Sequence, residues 1–253
     1  MWSDIWKAIK NLIIVVSGLL CILSIAGEIC EHIPKTCKAS KGFYNRYVKR
    51  GFDIVITGTA LLFLWPLYFV ISFAIILEDG LPIFYRAERG GYRNKSFKIC
   101  KFRSMIKDAD KIGGDTTAFH DSRITKVGNI LRKIKLDEIP QIGQVFFGKM
   151  SLVGPRPELL RYTEQYEGEN ESILTVRPGI TDFSSIEFVN LDEIVGEKNA
   201  DEMYEKYVLE KKNALRVKYA YSVSFHTDAY ILFKTLITVF EKAIGFLIKK
   251  EHR

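Results

Sequence analysis

The run from Ile54 to Leu77, IVITGTALLFLWPLYFVISFAIIL, is long enough to cross a bilayer and carries Pro66 near its middle. A span needs about 20 apolar residues. Proline removes one backbone hydrogen bond and clashes with the carbonyl four residues earlier, so a kink or break near Trp65-Pro66 is expected. The flanks constrain the topology. Lys35, Lys38, Lys41, Arg46, Lys49 and Arg50 precede the run, and Arg86, Arg89, Arg93, Lys95, Lys98, Lys101 and Arg103 come after it. Lys and Arg mark the cytoplasmic side. With both flanks basic, a helix that enters and leaves the same leaflet fits the charges. A plain kinked transmembrane helix is the competing reading.

A second apolar run, Leu12 to Ala26, is short for a span and is preceded by Lys7 and Lys10. Ser24-Ile25-Ala26 resembles a signal-peptide cleavage site. A retained anchor fits better, because the chain beyond Ala26 looks cytoplasmic. Of 253 residues, 47% are hydrophobic and 26% charged, which suits a folded domain with anchors and excludes global disorder. The net charge of +7 suits nucleic acid, anionic lipid or phosphorylated substrates alike. Because the basic residues cluster beside membrane segments and no nucleic-acid motif is present, nucleic acid is a poor partner. Cys21, Cys30, Cys37 and Cys100 lack metal spacing and read as reduced thiols. There is no dinucleotide fingerprint, Walker loop or nucleophile elbow.

Local patterns give a coarse map. Residues 82–105 read as short strands around Gly90-Gly91. Arg123 to Lys135 reads as a basic amphipathic helix with Ile124, Val127, Ile130, Leu131 and Ile134 on one face. The acidic stretch from Glu187 to Glu205 reads as a solvated helix–loop face. Tyr204 to Tyr221 reads as helical. Tyr230 to Ile248 reads as an apolar helix whose Lys234, Glu241 and Lys242 suit a membrane surface better than a span.

The chemistry concentrates in KLDEIPQIGQVFFGKMSLVGPRPE, Lys135 to Glu158. Pro140 suits the first position of a helix, which puts Asp137 and Glu138 at or just before a helix N-terminus, where the dipole favours ionised carboxylates. An ionised, poorly solvated Asp can attack phosphorus. A magnesium ion needs only one or two carboxylates besides substrate phosphates. An ordinary solvated acidic pair remains the plain alternative. In Pro155-Arg156-Pro157 the prolines preset the backbone around a guanidinium fork that matches phosphate oxygens. A rigid turn with a surface Arg is the alternative there. Lys101 and Arg103 flank Phe102 and would share one face of a strand.

These residues resemble a known family. Lys101-Phe102-Arg103-Ser104-Met105, Leu136-Asp137-Glu138-Ile139-Pro140-Gln141, Met150-Ser151-Leu152-Val153-Gly154-Pro155-Arg156-Pro157 and Arg177-Pro178-Gly179-Ile180-Thr181 occur in the order and spacing of the bacterial sugar transferases. These are the small monotopic phosphoglycosyl transferases, or polyprenyl-phosphate sugar-1-phosphate transferases. Phe84-Tyr85-Arg86 and Ser224, Asp228 and Lys234-Thr235 also fit, so the resemblance covers residues 44–240 or so.

The resemblance implies an α+β, mainly α, monotopic membrane protein. Residues 1–43 would be an N-terminal anchor or extension and 44–80 a re-entrant, Pro-broken helix. Residues 81–253 would be a cytoplasmic catalytic domain with interfacial amphipathic helices at the bacterial inner membrane. The implied reaction moves a sugar 1-phosphate from a UDP-sugar to undecaprenyl phosphate, releasing UMP. By the resemblance Asp137 is the nucleophile, forming an aspartyl phosphosugar that the lipid phosphate then attacks. Magnesium is expected on Asp137 and Glu138, with Glu138 also a candidate for proton transfer. The expected substrate-binding set is Arg156, Lys101, Arg103, Pro155, Pro157 and Ser151. The sugar, the pathway (capsule, lipopolysaccharide or exopolysaccharide) and homo-oligomerisation stay open, and a catalytically silent membrane scaffold is the alternative function. The chain departs from the family pattern in three places. Trp65 stands where a small residue precedes the proline, Ala87 where Gln is common, and Asp182-Phe183-Ser184-Ser185 where Gly-aromatic-Ala-Gln is usual.

Overall fold

A computed structural model describes residues 42–118, 121–196 and 199–251. The apolar run Leu12–Ala26, with Cys21, Cys30 and Cys37, lies outside these residues. The described residues are mainly helical with two small sheets, an α+β architecture.

The longer apolar run forms α1, Lys49–Asp79, entered through a π-helical turn at Tyr44–Val48. Of the kink or break expected at Pro66, a break does not occur: the helical winding continues through it. A single proline removes one donor from a long ladder, and the turns on either side of it are fastened to the rest of the molecule. At the start of α1, the Lys49 ammonium pairs with Asp228 and donates to Tyr219 Oη at 2.8 Å. Arg50 donates to the carbonyls of Val145 and Phe146 at 2.6 and 2.7 Å, and Asp53 Oδ1 accepts from Leu152 N at 3.0 Å. Past the proline, Tyr68 Oη donates to Ile139 O at 2.7 Å, and Ile71 and Ile75 pack with Phe102 and Leu131. At the far end, Glu78 accepts from the backbone N–H groups of Lys126 and Val127, and Arg103 pairs with Asp79 at 3.0 Å. Gly80, at φ 70°, ends the helix in a conformation that glycine adopts without strain. The opposite face carries Leu62, Phe63, Trp65 and Phe69, each between 68% and 76% exposed.

Strands β1, Phe84–Gly90, and β2, Ser96–Phe102, pair antiparallel around the Gly90-Gly91 turn, as their alternation predicts. Phe84 stacks on Phe102, and Phe102 is buried against α1. Thr125 caps α2, Lys126–Lys133, through its side chain. This helix is shorter than the amphipathic stretch suggests. Leu131 is buried, but Ile130 is 44% exposed, and Ile124 forms a bridge with Met105 ahead of the helix. Lys135, at φ 60°, redirects the chain before a single 3-10 turn, Leu136–Glu138. Pro140 then leads into α3, Gln141–Phe146.

Strands β3, Ser151–Val153, and β4, Gly179–Thr181, pair in parallel. Gly154 and Gly179 permit this approach: a Cβ on Gly154 would lie 2.4 Å from Arg177 O, and one on Gly179 would lie 2.1 Å from Gly154 N. Between the strands come α4, Leu160–Thr163, and a 3-10 segment, Gly168–Thr175. After β4 come α5, Phe183–Glu187, α6, Leu191–Val195, and α7, Ala200–Tyr204. The acidic side chains of the last two sit in their first turns, while Val195 and Tyr204 are buried. Helix α8, Glu210–Ser222, buries Tyr219 and Ala220 in a cluster with Val153, Val176, Val223 and Ile231. The final helix, α9, Phe225–Glu251, begins earlier than its apolar stretch because Ser224 caps it, accepting from Thr227 N through its hydroxyl. Leu236 and Phe240 of α9 remain exposed.

Candidate active site

The turn after Lys135 places Asp137 and Glu138 one turn ahead of α3, at the end of β2 and beside the loop after β3. Lys101 Nζ, near the end of β2, donates to Glu138 Oε1 at 2.9 Å. Arg156, from the Pro155–Pro157 loop, gives Glu138 a second ion pair through Nη2, and its Nη1 donates to Ile180 O at 2.7 Å. Three of the expected residues, Lys101, Glu138 and Arg156, therefore meet around one carboxylate. Asp137 is 6% exposed, and its Oδ1 has no hydrogen-bond partner among the described residues.

The two neighbouring acids sit in opposite electrostatic states. Burial and the adjacent Glu138 charge raise the Asp137 pKa, although Lys101, Arg132 and Lys135 pull it back. Burial would raise Glu138 too, but Arg156 and Lys101 override it and hold Glu138 well below the usual carboxylate range. Burial pushes the Lys101 amine down against the pull of Glu138, while Glu138 holds the Arg156 guanidinium in its charged form against its own desolvation. The outcome is a firmly ionised Glu138 whose Oε1 is shared by two cations, next to a buried Asp137 whose Oδ1 has no partner among the described residues.

Pro155 and Pro157 bracket Arg156 as expected, and Pro155 O accepts from Gly179 N at 3.0 Å. Arg103 and Ser151 lie in other contacts. Arg103 stands one residue past β2, and its Nη2 donates to the carbonyls of Asp79 and Gly80, both at 2.8 Å, closing the end of α1. Ser151 N donates to Pro178 O at 2.9 Å, and its buried hydroxyl lies beside Asp53 of α1.

Several residues at the site were not singled out by their local sequence. Arg132 and Lys135 bring positive charge to Asp137, and only their membership of a basic helix hinted at it. Gln141 is fully buried, and neither of its side-chain polar atoms has a partner among the described residues. Asp182 accepts from Arg156 N at 3.0 Å. Its signal was the departure from the family pattern at that position. Behind the loop, Glu158 pairs with the fully buried Arg216 at 2.8 Å and accepts from Tyr204 Oη.

Comparison with known proteins identifies the family. The family described as bacterial sugar transferase matches residues 44–242. The UDP-glucose:undecaprenyl-phosphate glucose-1-phosphate transferase of Escherichia coli is 36% identical over 200 residues, covering 78% of this chain and 41% of that protein. The UDP-N-acetylgalactosamine-undecaprenyl-phosphate N-acetylgalactosaminephosphotransferase of Aeromonas hydrophila is 36% identical over 143 residues, covering 55% of this chain and 34% of its own length. The exopolysaccharide production protein ExoY of Sinorhizobium fredii is 34% identical over 206 residues, covering 76% of this chain and 84% of its own length. The chain thus spans well under half of the first two relatives and most of the third. The matched region contains all four motifs and the whole Asp137–Glu138–Arg156 cluster, and the chain belongs to the bacterial sugar transferase family.

Proposed function

We propose that this protein transfers a sugar 1-phosphate from a UDP-sugar to undecaprenyl phosphate, giving an undecaprenyl diphosphate sugar and UMP. The buried, unpartnered Asp137 Oδ1 beside a Glu138 paired with two cations carries this reading. An uncompensated buried carboxylate oxygen is costly to a fold and recurs where chemistry uses it.

In the proposed first step Asp137 attacks the phosphorus that bears the sugar. A carboxylate–phosphorus bond forms, the bond to the bridging diphosphate oxygen breaks, and UMP leaves. In the second step an oxygen of the lipid phosphate attacks the same phosphorus and releases Asp137. Raised basicity makes Asp137 a better nucleophile when ionised. Glu138, held ionised by two cations, is poorly suited to carry protons, so its proposed role is to fix Lys101 and Arg156 around the substrate phosphates. Arg156 keeps guanidinium donors beyond those given to Glu138 and Ile180.

The residues fit a magnesium ion in part. Asp137 offers one unpartnered carboxylate oxygen, which suffices when substrate phosphates supply further ligands, whereas Glu138 has its Oε1 engaged by both Lys101 and Arg156 and could offer only Oε2. Magnesium would neutralise charge developing on the diphosphate.

Membrane seating is part of the proposal. Both ends of α1 hydrogen-bond to the same folded body, at Arg50 and at Glu78. A span would carry one end about 30 Å away from it. The two basic flanks and the exposed apolar face of α1 support re-entry into one leaflet, with the folded body on the cytoplasmic side of the inner membrane.

UMP release from a panel of UDP-sugars, dependent on undecaprenyl phosphate, tests the proposal. Release of UDP instead would indicate one-step glycosyl transfer. No nucleotide release from any donor would leave the scaffold alternative. Relatives are named for glucose and N-acetylgalactosamine donors, so both belong in the panel.

A further inference from the structure

Flanked by Pro155 and Pro157, Arg156 holds the sole backbone N–H in its three-residue loop. That single donor goes to Asp182 Oδ2 at 3.0 Å. The contact extends a series that runs along the loop. Gly154 N donates to Thr181 O at 2.9 Å, Gly179 N to Pro155 O at 3.0 Å, and Arg156 Nη1 to Ile180 O at 2.7 Å. Where backbone pairing between β3 and β4 runs out, the Asp182 side chain continues it.

Asp182 is itself held firmly. It is fully buried, and besides Arg156 N its carboxylate accepts from Ser185 N at 2.7 Å, Ser185 Oγ at 2.7 Å and Ser184 Oγ at 2.8 Å. Ser184 is fully buried as well. A carboxylate with four donors in a dry corner is fixed in position, and it transmits that rigidity to whatever it holds. What it holds is the backbone of the residue whose guanidinium reaches Glu138.

We propose that Asp182, locked by Ser184 and Ser185, is a positioning residue that presets Arg156 for binding the diphosphate of the nucleotide donor. This rests on the transferase reading for the identity of the ligand. The coupling itself is a property of the loop and can be measured without turnover.

The experiment is a double-mutant cycle read by equilibrium binding of UDP to the full chain in detergent. It compares the unaltered chain, Asp182→Ala, Arg156→Ala and the double variant, with thermal unfolding of each recorded alongside. Acting through Arg156, Asp182→Ala weakens UDP binding about tenfold in the unaltered chain and less than about twofold in the Arg156→Ala background. Equal losses in both backgrounds overturn the proposal, since Asp182 would then act independently of Arg156. UDP binding unchanged by Asp182→Ala also overturns it, as does a failure of the unaltered chain to bind UDP. If Asp182→Ala does not fold, the Ser184→Ala/Ser185→Ala pair and Asp182→Asn replace it, with intermediate losses that again vanish on Arg156→Ala. Intact UDP binding and coupling without UMP release would overturn the transferase reading alone.

Discussion

Glu138 and Arg156 stand 18 residues apart in the chain and meet as an ion pair, with the Arg156 fork shared between that carboxylate and the Ile180 carbonyl. The pair joins the turn ahead of α3 to the loop after β3. Its side chains are only 13% and 23% exposed, so removing one partner leaves the other poorly solvated. Glu138→Gln is expected to lower kcat/KM for UMP release about tenfold to a hundredfold, because both Arg156 and Lys101 lose their charged acceptor. Arg156→Lys is expected to fare no better, since an ammonium cannot reproduce the planar fork. Steady-state kinetics with varied UDP-sugar check both. A Glu138→Gln enzyme with unaltered kcat/KM would remove the pair from the mechanism.

Asp137→Asn separates function from stability. The substitution keeps the shape of the side chain and removes a buried carboxylate whose Oδ1 has no partner. Turnover should fall by about 10³-fold or more, as for loss of a nucleophile. The melting temperature should hold or rise, because burial disfavours the charged carboxylate and the amide carries no charge. Mass spectrometry of the acid-quenched enzyme should find a sugar-phosphate adduct on the unaltered chain and none on the variant. Retained turnover would move the nucleophile elsewhere.

Parts of this site were legible in the sequence for physical reasons. Pro140 fixes where a helix can begin, and so placed Asp137 and Glu138 before α3. Two prolines restrict their neighbour, and so marked Arg156. Alternation in β2 placed Lys101 near the site, but the same rule failed for Arg103. That residue lies just past the strand, and its partners are carbonyls at the end of α1, 24 and 23 residues back. No local period encodes such a contact. The double ion pairing of Glu138 was equally hidden, since it depends on loops brought together by β3–β4 pairing. The α2 stripe overstated burial at Ile130, because periodicity names a face without saying how much of it a neighbour covers.

Acid should unlock the support behind the Arg156 loop. Burial would raise the Glu158 pKa, but Arg216, Lys212 and the Tyr204 hydroxyl bring it down to about 2. A carboxyl with a depressed folded pKa stabilises the fold fully above its unfolded value, and that stability is lost as pH falls from 4.5 toward 2. The contribution is about 3 kcal/mol at most. Glu158→Gln should be less stable than the unaltered chain at pH 7, and the gap should close as the pH is lowered. Chemical denaturation at stepped pH measures it, and a pH-independent gap would rule out the linkage.

Lys212 sets the opposite limb. It is 8% exposed, and its ammonium lies 5.0 Å from the Tyr204 ring centroid. Burial and the neighbouring Arg216 push its pKa down to about 7. The unfolded chain then binds more protons than the folded one between pH 7 and the ordinary lysine value, so stability rises with pH across that window. The slope should approach about 1.4 kcal/mol per pH unit. Lys212→Met should flatten it while retaining the packing of the stem. A slope unchanged by the substitution would assign it to other groups.

Topology gives the last test. Arg46 lies in the turn that leads into α1, and Tyr85 lies on β1 beyond its end. With the native cysteines replaced by Ser, Arg46→Cys and Tyr85→Cys should both label with a membrane-impermeant maleimide in inverted vesicles, and neither in intact spheroplasts. Re-entry demands this agreement, because both ends of α1 hydrogen-bond to one folded body through Arg50 and Glu78. A span would instead separate the two labels across the bilayer and pull one of those contacts apart. Labelling of either cysteine from outside would therefore overturn both the re-entrant topology and the seating of Asp137 at the cytoplasmic surface.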